Sequence, residues 1–309
     1  MFGTPTTSFR TPTPPKPVER FDIVHPLLPP ALDGTTILHV SDLHVRRNLL
    51  NTDRYHTILH ALESTPADII ALTGDYMDEP GCEPSHERAA LETLKALAAA
   101  WRSRIGAFAI FGNHDTPDFR RTCIRELPTI NFIGGRAIDL PYGLRLLGLD
   151  WPEDCLSLSP ASAGEMSEQS EDRGGTHPTT PGPNPAPNPI PNPPLPFSPA
   201  FTISLAHHPT TLIPAAQLNI PILLAGHTHA GQIRLHPRLS PHTSSDLPPH
   251  LASGILQLRS TLCCITRGLG DGVIEGLRIN CPRQIPLYTL RRAPLLHNNP
   301  ESVRQVVAW

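Results

Sequence analysis

No stretch of this 309-residue chain approaches the roughly 20 consecutive apolar residues that a membrane-spanning helix needs. Met1 to Glu19 is rich in Pro and Thr and has no apolar h-region, so it does not read as a secretory signal. An excess of one charge is missing as well. Lys+Arg total 25 against Asp+Glu 28, a formal net charge of -3, which supplies no basic stripe for a nucleic-acid partner. The cysteines at 82, 123, 155, 263, 264 and 281 fit no zinc-ligand spacing, and nothing suggests a small disulfide scaffold. They read as packed thiols in a reducing compartment. The expectation is a soluble, cytoplasmic protein whose contact with a membrane is at most peripheral.

What the chain does have is 38 prolines and 16 histidines. The prolines crowd into particular segments, whereas several histidines fall in short motifs. Residues 1–20 read as a disordered lead-in, and Phe21 to Leu32 as a segment extended along the domain edge. Residues 152–199 hold alternating prolines around Pro181-Gly182-Pro183-Asn184-Pro185. Such a run removes backbone donors and fixes φ, so it reads as an exposed, disordered insertion. One domain is expected over 21–291, interrupted by that insertion, with a polar tail over 292–309.

Within the domain, hydrophobic patterning alternates between strand and helix. Thr35–Ser41, Ala67–Thr73 and Ile105–Phe111 read as buried strands separated by helices over Asn51–Ser64 and Ser85–Ala100. That β-α-β-α-β order predicts an α/β fold with right-handed crossovers and a parallel sheet. A short helix over Pro117–Leu127 and a hairpin joining Ala137–Leu140 to Leu144–Leu149 follow. Beyond the insertion, Phe201–Ala206 and Ile220–Ala225 read as strands around a short helix over Thr211–Gln217. Gly254–Leu258, Thr261–Thr266 and Ile285–Leu290 have short connections and suggest an antiparallel or mixed second sheet. Asn299-Pro300-Glu301 resembles an N-cap with Pro at N1, which predicts a last short helix to Trp309.

Five strand-like runs end in potential metal ligands: Asp42/His44, Asp75, Asn113/His114, His207/His208 and His227/His229. One such end would be unremarkable, but metal sites need several convergent ligands, and five together change that. Imidazole, carboxylate and amide oxygen without Cys suit Mn²⁺, Fe²⁺, Zn²⁺ or Co²⁺. Roughly seven groups are enough for two ions ~3.5–4 Å apart, as in phosphatases and nucleases. The i, i+2 spacing in Asp42-x-His44 and His227-x-His229 lets both side chains of an extended segment reach one cleft. Gly74, Gly112 and Gly226 precede ligands and would let the chain turn sharply off the sheet. His56 and His60, i and i+4 on a helix, have no third ligand and read as surface. Asp78 reads as a turn residue.

These motifs, in this order, resemble the calcineurin-like metallophosphoesterases. Gly112-Asn113-His114-Asp115 and Gly226-His227-Thr228-His229 are the most specific, joined by Asp42-x-His44, Gly74-Asp75 and His207-x-Pro209. Ser41-Asp42-Leu43-His44, Gly74-Asp75-Tyr76-Met77-Asp78 and Thr266-Arg267-Gly268-Leu269-Gly270 are similar to the YaeI/YkuE-type phosphodiesterase branch. The resemblance implies a four-layer α/β/β/α sandwich of two mixed sheets flanked by helices. It also implies two divalent metal ions, one held by Asp42, His44 and His229, the other by Asn113, His207 and His227, with Asp75 bridging. His114 would act on the substrate, stabilising a phosphoryl oxygen or protonating the leaving group, with Asp115 orienting its ring. The implied nucleophile is a metal-bridging hydroxide. Arg267 would either present a cation to substrate phosphate or brace the metal loop.

The activity so implied is hydrolysis of a phosphodiester or pyrophosphate bond in a phosphorylated small molecule or glycolipid. UDP-2,3-diacylglucosamine, from lipid A biosynthesis, is the first substrate to test within that branch. The alternatives are a broad-specificity phosphodiesterase or phosphomonoesterase, a nuclease, and a non-catalytic metal-binding scaffold.

Overall fold

The computed structural model describes residues 17–46, 49–78, 84–150, 200–236, 239–243, 245–272, 274 and 276–307. The proline-rich insertion and most of the expected lead-in lie outside the described residues.

The chain alternates strand and helix through its first half. β1 (Val18–Val24) and β2 (Thr36–Val40) precede α1 (Asp53–Glu63), β3 (Ala67–Leu72), α2 (Pro84–Ala100), β4 (Ser103–Ala109), α3 (Pro117–Glu126) and β5 (Ile130–Phe132). The second half contributes β6 (Ala137–Leu140), β7 (Leu144–Leu149), β8 (Phe201–Ala206), α4 (Leu212–Gln217) and β9 (Ile222–Ala225). It closes with β10 (Gly254–Leu258), β11 (Thr261–Ile265), β12 (Ile285–Arg291) and β13 (Arg304–Val307). Helix starts are set locally. Thr52 and Thr116 cap α1 and α3 by accepting from Tyr55 and Phe119 amides, and Pro117 occupies the first turn of α3.

Two mixed sheets result, with orders β1-β12-β2-β3-β4-β5 and β13-β10-β11-β9-β8-β7-β6. The β2-β3-β4-β5 and β7-β8-β9-β11 runs are parallel. Period-2 alternation then sorts side chains between layers. Ile37, Ile69 and Phe108 meet Ile203, Leu205, Ile222 and Leu224 in the core between the sheets. Leu38, Ile70 and Leu72 point the other way, onto Leu62 of α1 and Leu94 and Leu97 of α2. Leu223 and Ala225 pack outward against Leu212 of α4. Helix, sheet, sheet and helix form four layers.

Three expectations need correction. Val18–Arg20, assigned to the lead-in, are strand, because Val-Glu-Arg-Phe-Asp-Ile-Val alternates and pairs in parallel with β12. Ile285–Leu290 joins the first sheet rather than the second, lying antiparallel to β2. Arg304–Val307 in the tail is an edge strand on β10, not part of a helix. The β-branched Val306 and Val307 pack on the core between the sheets, a contact that outweighs the local capping signal upstream. No helix among the described residues is long and apolar enough to cross a membrane. Cys123, Cys263, Cys264 and Cys281 are free and buried.

Candidate active site

The carboxyl ends of β2, β3 and β4 meet those of β8 and β9, as expected for ligand placement in α/β sheets. Asp42 and His44 follow β2, Asp75 follows β3, and Asn113 and His114 follow β4. His207 follows β8, and His227 and His229 follow β9. Among the described residues three groups of side chains emerge, each with its donor atoms within 4.8 Å of one another: Asp42/His44/His229, Asp75/His207/His227 and, sharing His44, His44/Asp78/His114. The first two are linked by a carboxylate. Asp75 connects them, with Oδ2 lying 3.0 Å from His207 Nε2 and 3.5 Å from His44 Nε2.

The turns that aim these side chains require close backbone approach. A Cβ on Gly74 would lie 2.3 Å from the Gly112 nitrogen, and one on Gly226 would lie 2.4 Å from Asp42 Oδ2. At Gly226, closeness rather than a left-handed turn demands glycine. The ligands themselves take the left-handed conformation. Asp42, His44, Asp75, His227 and His229 have φ of 54°, 42°, 54°, 68° and 49°, a region costly for residues with a Cβ.

The site fits divalent ions on its own chemistry. His44 Nε2 faces His229 Nε2 at 3.0 Å, and His207 Nε2 faces His227 Nδ1 at 3.2 Å. His207 Nδ1 lies 2.6 Å from the Thr73 carbonyl, which can only accept, so Nδ1 donates and Nε2 faces the site. Burial lowers its pKa, but Asp75 and Asp42 raise it to about 9, and a cation would have to displace that Nε2 proton to be bound. Asp42 Oδ2 and Asn113 Oδ1 are buried with no hydrogen-bond partner. Leaving such atoms unsatisfied costs about 1–3 kcal/mol each, and a cation removes that cost. Burial alone would raise the Asp75 pKa, but its contacts with His207 and His44 prevail and hold it well below the usual carboxylate range. Burial, with the neighbouring His44 and Arg278 cations, holds His229 well below the ordinary imidazole value, in the neutral form that ligates.

Asp115 does something other than expected. Its carboxylate accepts from the backbone amides of Asp75 (3.0 Å), Tyr76 (2.9 Å), Met77 (3.3 Å) and Gly112 (2.9 Å). Those bonds fill its roughly four lone-pair positions and lock the turn after β3 to the turn after β4. The expected orienting of His114 by Asp115 is therefore corrected: the carboxylates beside His114 are Asp75, which accepts from its amide at 2.9 Å, and Asp78. Donor atoms of His44, Asp78 and His114 lie within 4.8 Å of one another, and Asp78 also pairs with Arg46 at 2.5 Å. The Asp78 turn reading missed this, because nothing in a lone Asp after a turn marks it. The His114 ring is half-buried, and its Nδ1 has no hydrogen-bond partner.

Of the two readings of Arg267, the structure shows the brace. Its side chain is buried, donating to the Pro282 carbonyl at 2.8 Å and to the carboxylate of Glu19 in β1. It braces the loop and does not open toward substrate. Another arginine was missed altogether. Buried Arg278 donates to the carbonyls of Arg267 and Gly270, pairs with Asp271 at 3.1 Å, and lies 3.2 Å from His229 Nδ1. It sits in no recognisable motif. His208 joins neither ligand group, yet its ring lies against His227, tilted by 31° with centroids 3.5 Å apart.

Comparison with known proteins agrees with this geometry. Residues 35–231 match the family described as calcineurin-like phosphoesterase. An uncharacterized metallophosphoesterase of Bacillus subtilis (strain 168), YkuE, is 28% identical over 86% of this chain and 82% of its own length. A second from the same organism, YkoQ, is 36% identical over 30% of this chain and 33% of its own. A Bos taurus transmembrane protein with a metallophosphoesterase domain is 26% identical over 67% of this chain and 43% of its own.

Proposed function

The chain belongs to the calcineurin-like phosphoesterase family and is a metal-dependent phosphoester hydrolase, and on that premise we propose that it cleaves phosphodiester or pyrophosphate bonds at the junction of its two sheets. One observation carries the reading: six His and Asp side chains from both sheets converge in two groups, while buried oxygens of Asp42 and Asn113 have no partner. Asp42, His44 and His229 would hold one divalent ion. Asn113, His207 and His227 would hold the other, and Asp75 would touch both. When bound, such ions polarise a phosphoryl oxygen and lower the pKa of water toward neutrality.

The remaining steps fall to the chain's own side chains. Burial outweighs the nearby carboxylates and lowers the His114 pKa, so its ring is neutral at pH 7. A neutral imidazole donates an N–H hydrogen bond to a phosphoryl oxygen as charge builds there. Asp75 and Asp78 favour the protonated ring, so the minor imidazolium form would give its proton to the leaving oxygen and return to neutral imidazole.

A substrate with an apolar part is supported by the rim. Leu235 and Leu239 are exposed by 64% and 54%, and Ile274, Leu277 and Ile279 are exposed too. The two stretches are tied together, since Arg234 N donates to Ile279 O (2.9 Å) and Gln232 Nε2 to Leu277 O (2.7 Å). They also adjoin the ligands, because a Cβ on Gly272 would lie 2.7 Å from His229 Nε2. Exposed apolar surface in one place marks a contact site, which makes a glycolipid such as UDP-2,3-diacylglucosamine, met peripherally at a membrane, the substrate to test. The experiment is a side-by-side assay of the Mn²⁺-loaded protein on bis-p-nitrophenyl phosphate, p-nitrophenyl phosphate and UDP-2,3-diacylglucosamine. Metal-dependent turnover is expected on the first and third. Absence of turnover on all three would sink the reading.

A further inference from the structure

Beyond His208 lies a cavity of about 600 Å³, within the size range of small-molecule sites. His208, Ser240, His242, Thr243, Ser245 and Asp246 line it. No lysine or arginine is among its described lining residues, and Leu247 is the only large aliphatic one. The wall carries hydroxyls, imidazoles and one carboxylate beside the apolar surface of Pro241, Leu247 and Pro249. Among the described residues it has no cation that would bind a phosphate.

The cavity opens one ring away from the metal ligands, because His208 both lines it and lies against His227. Its far wall is fastened to the ligand loop. Ser240 Oγ lies 2.9–3.3 Å from the carbonyls of Gly231, Ile233 and His242. A Cβ on Gly231 would lie 1.8 Å from that hydroxyl and 2.6 Å from the His242 carbonyl. Thr228 Oγ1 donates to the Ala252 carbonyl, closing the other end of the same loop. The wall is thus held at a set distance from His227 and His229.

We propose that this cavity is a subsite for an uncharged, hydroxyl-rich alcohol, a sugar or polyol, esterified to the phosphate that reacts. The inference rests on the hydrolase reading above. Asp246 accepts from paired hydroxyls of the alcohol, since an ionised carboxylate is acceptor-only and bonds to it are stronger than neutral ones. Thr243 and Ser245 contribute hydroxyl groups that can donate or accept. The imidazole faces of His208 and His242 cover the C–H surface of the ring.

The test uses p-nitrophenyl phosphodiesters with one common leaving group and a varied second arm: myo-inositol, thymidine or ethyl. With Mn²⁺-loaded full-length protein, the inositol arm should raise kcat/KM over the ethyl arm by about tenfold or more, mostly through KM, the size expected for a few charge-assisted hydrogen bonds. Asp246→Ala should collapse that ratio toward one, and Asp246→Asn, which keeps an acceptor, should restore part of it. Equal kcat/KM for the inositol and ethyl arms overturns the subsite, as does preference for thymidine or a ratio indifferent to Asp246→Ala. In each of those cases turnover persists and hydrolysis stands. No Mn²⁺-dependent turnover of any diester sinks the hydrolase reading itself, and the subsite with it.

Discussion

The two sheets meet at the active site but bring different chemistry to it. The six-stranded sheet delivers Asp42, Asp75 and Asn113 together with His44 and His114, whereas the seven-stranded sheet delivers only imidazoles, from His207, His227 and His229. The oxygen donors thus sit on one wall, while the other offers nitrogen donors alone. On the proposed assignment neither wall would hold an ion by itself, since the Asp42 group includes His229 and the Asp75 group includes His207 and His227. A centre so built would form only when the core between the sheets is packed. The hydrogen bond from the His227 amide to Asp42 Oδ1, 2.9 Å, crosses that junction.

If the walls are unequal in this way, substitutions on them should differ in kind. The largest effect is expected at Asp75, which reaches both groups. Asp75→Asn should lower kcat/KM by about 10³-fold or more and strip the protein of both ions in elemental analysis. His229→Ala should retain one. Equal losses from the two would break the comparison. Next is His114→Ala, expected to keep its metal content and lose about 10²–10⁴ in kcat. Loss of metal instead would make His114 a ligand.

Asp115→Ala comes third and acts on folding. It leaves the amides of Asp75, Tyr76, Met77 and Gly112 without their acceptor, so a loss of about 3 kcal/mol is expected in urea unfolding. An unchanged midpoint would show that the clamp is dispensable. The smallest effect concerns Asp68, remote from the centre. Partial burial raises its pKa, but the Thr36 amide, Arg104 and the Thr36 hydroxyl lower it more. A lowered native pKa means the contribution is complete above the unfolded-chain value of about 3.9 and vanishes as pH falls through the native one. Asp68→Asn should cost at most about 1 kcal/mol at pH 7, given its partial exposure to solvent, and progressively less as pH falls below the unfolded-chain value. A cost that does not shrink as pH is lowered would contradict that assignment.

Much of this was legible because the ligands close strands whose patterning is unambiguous. The crossovers through α1 and α2 and the strand ends at Asp42, Asp75, Asn113, His207 and His227 follow from short-range signals. What was not legible depends on distant partners. Asp115 reads as a neighbour of His114, but the amides that claim it lie near residue 75. Arg267 reads equally as a substrate cation or a brace until Glu19, far away in sequence, decides for the brace. Ile285–Leu290 follows β11 along the chain yet pairs with β1 and β2, because proximity in sequence does not choose the sheet. The His208 cavity is built by a loop whose residues form no motif.

The left-handed backbone at the ligands has an evolutionary consequence. Asp42, His44, Asp75, His227 and His229 all hold positive φ, at about 1 kcal/mol or more each for residues with a Cβ. Glycine would relieve each one, so a chain that abandoned catalysis could gain thermal stability by the very changes that disable it. Any inactive descendant of this protein should therefore drift toward glycine at these positions and melt higher, while selection for turnover keeps the active form below the stability its scaffold could reach.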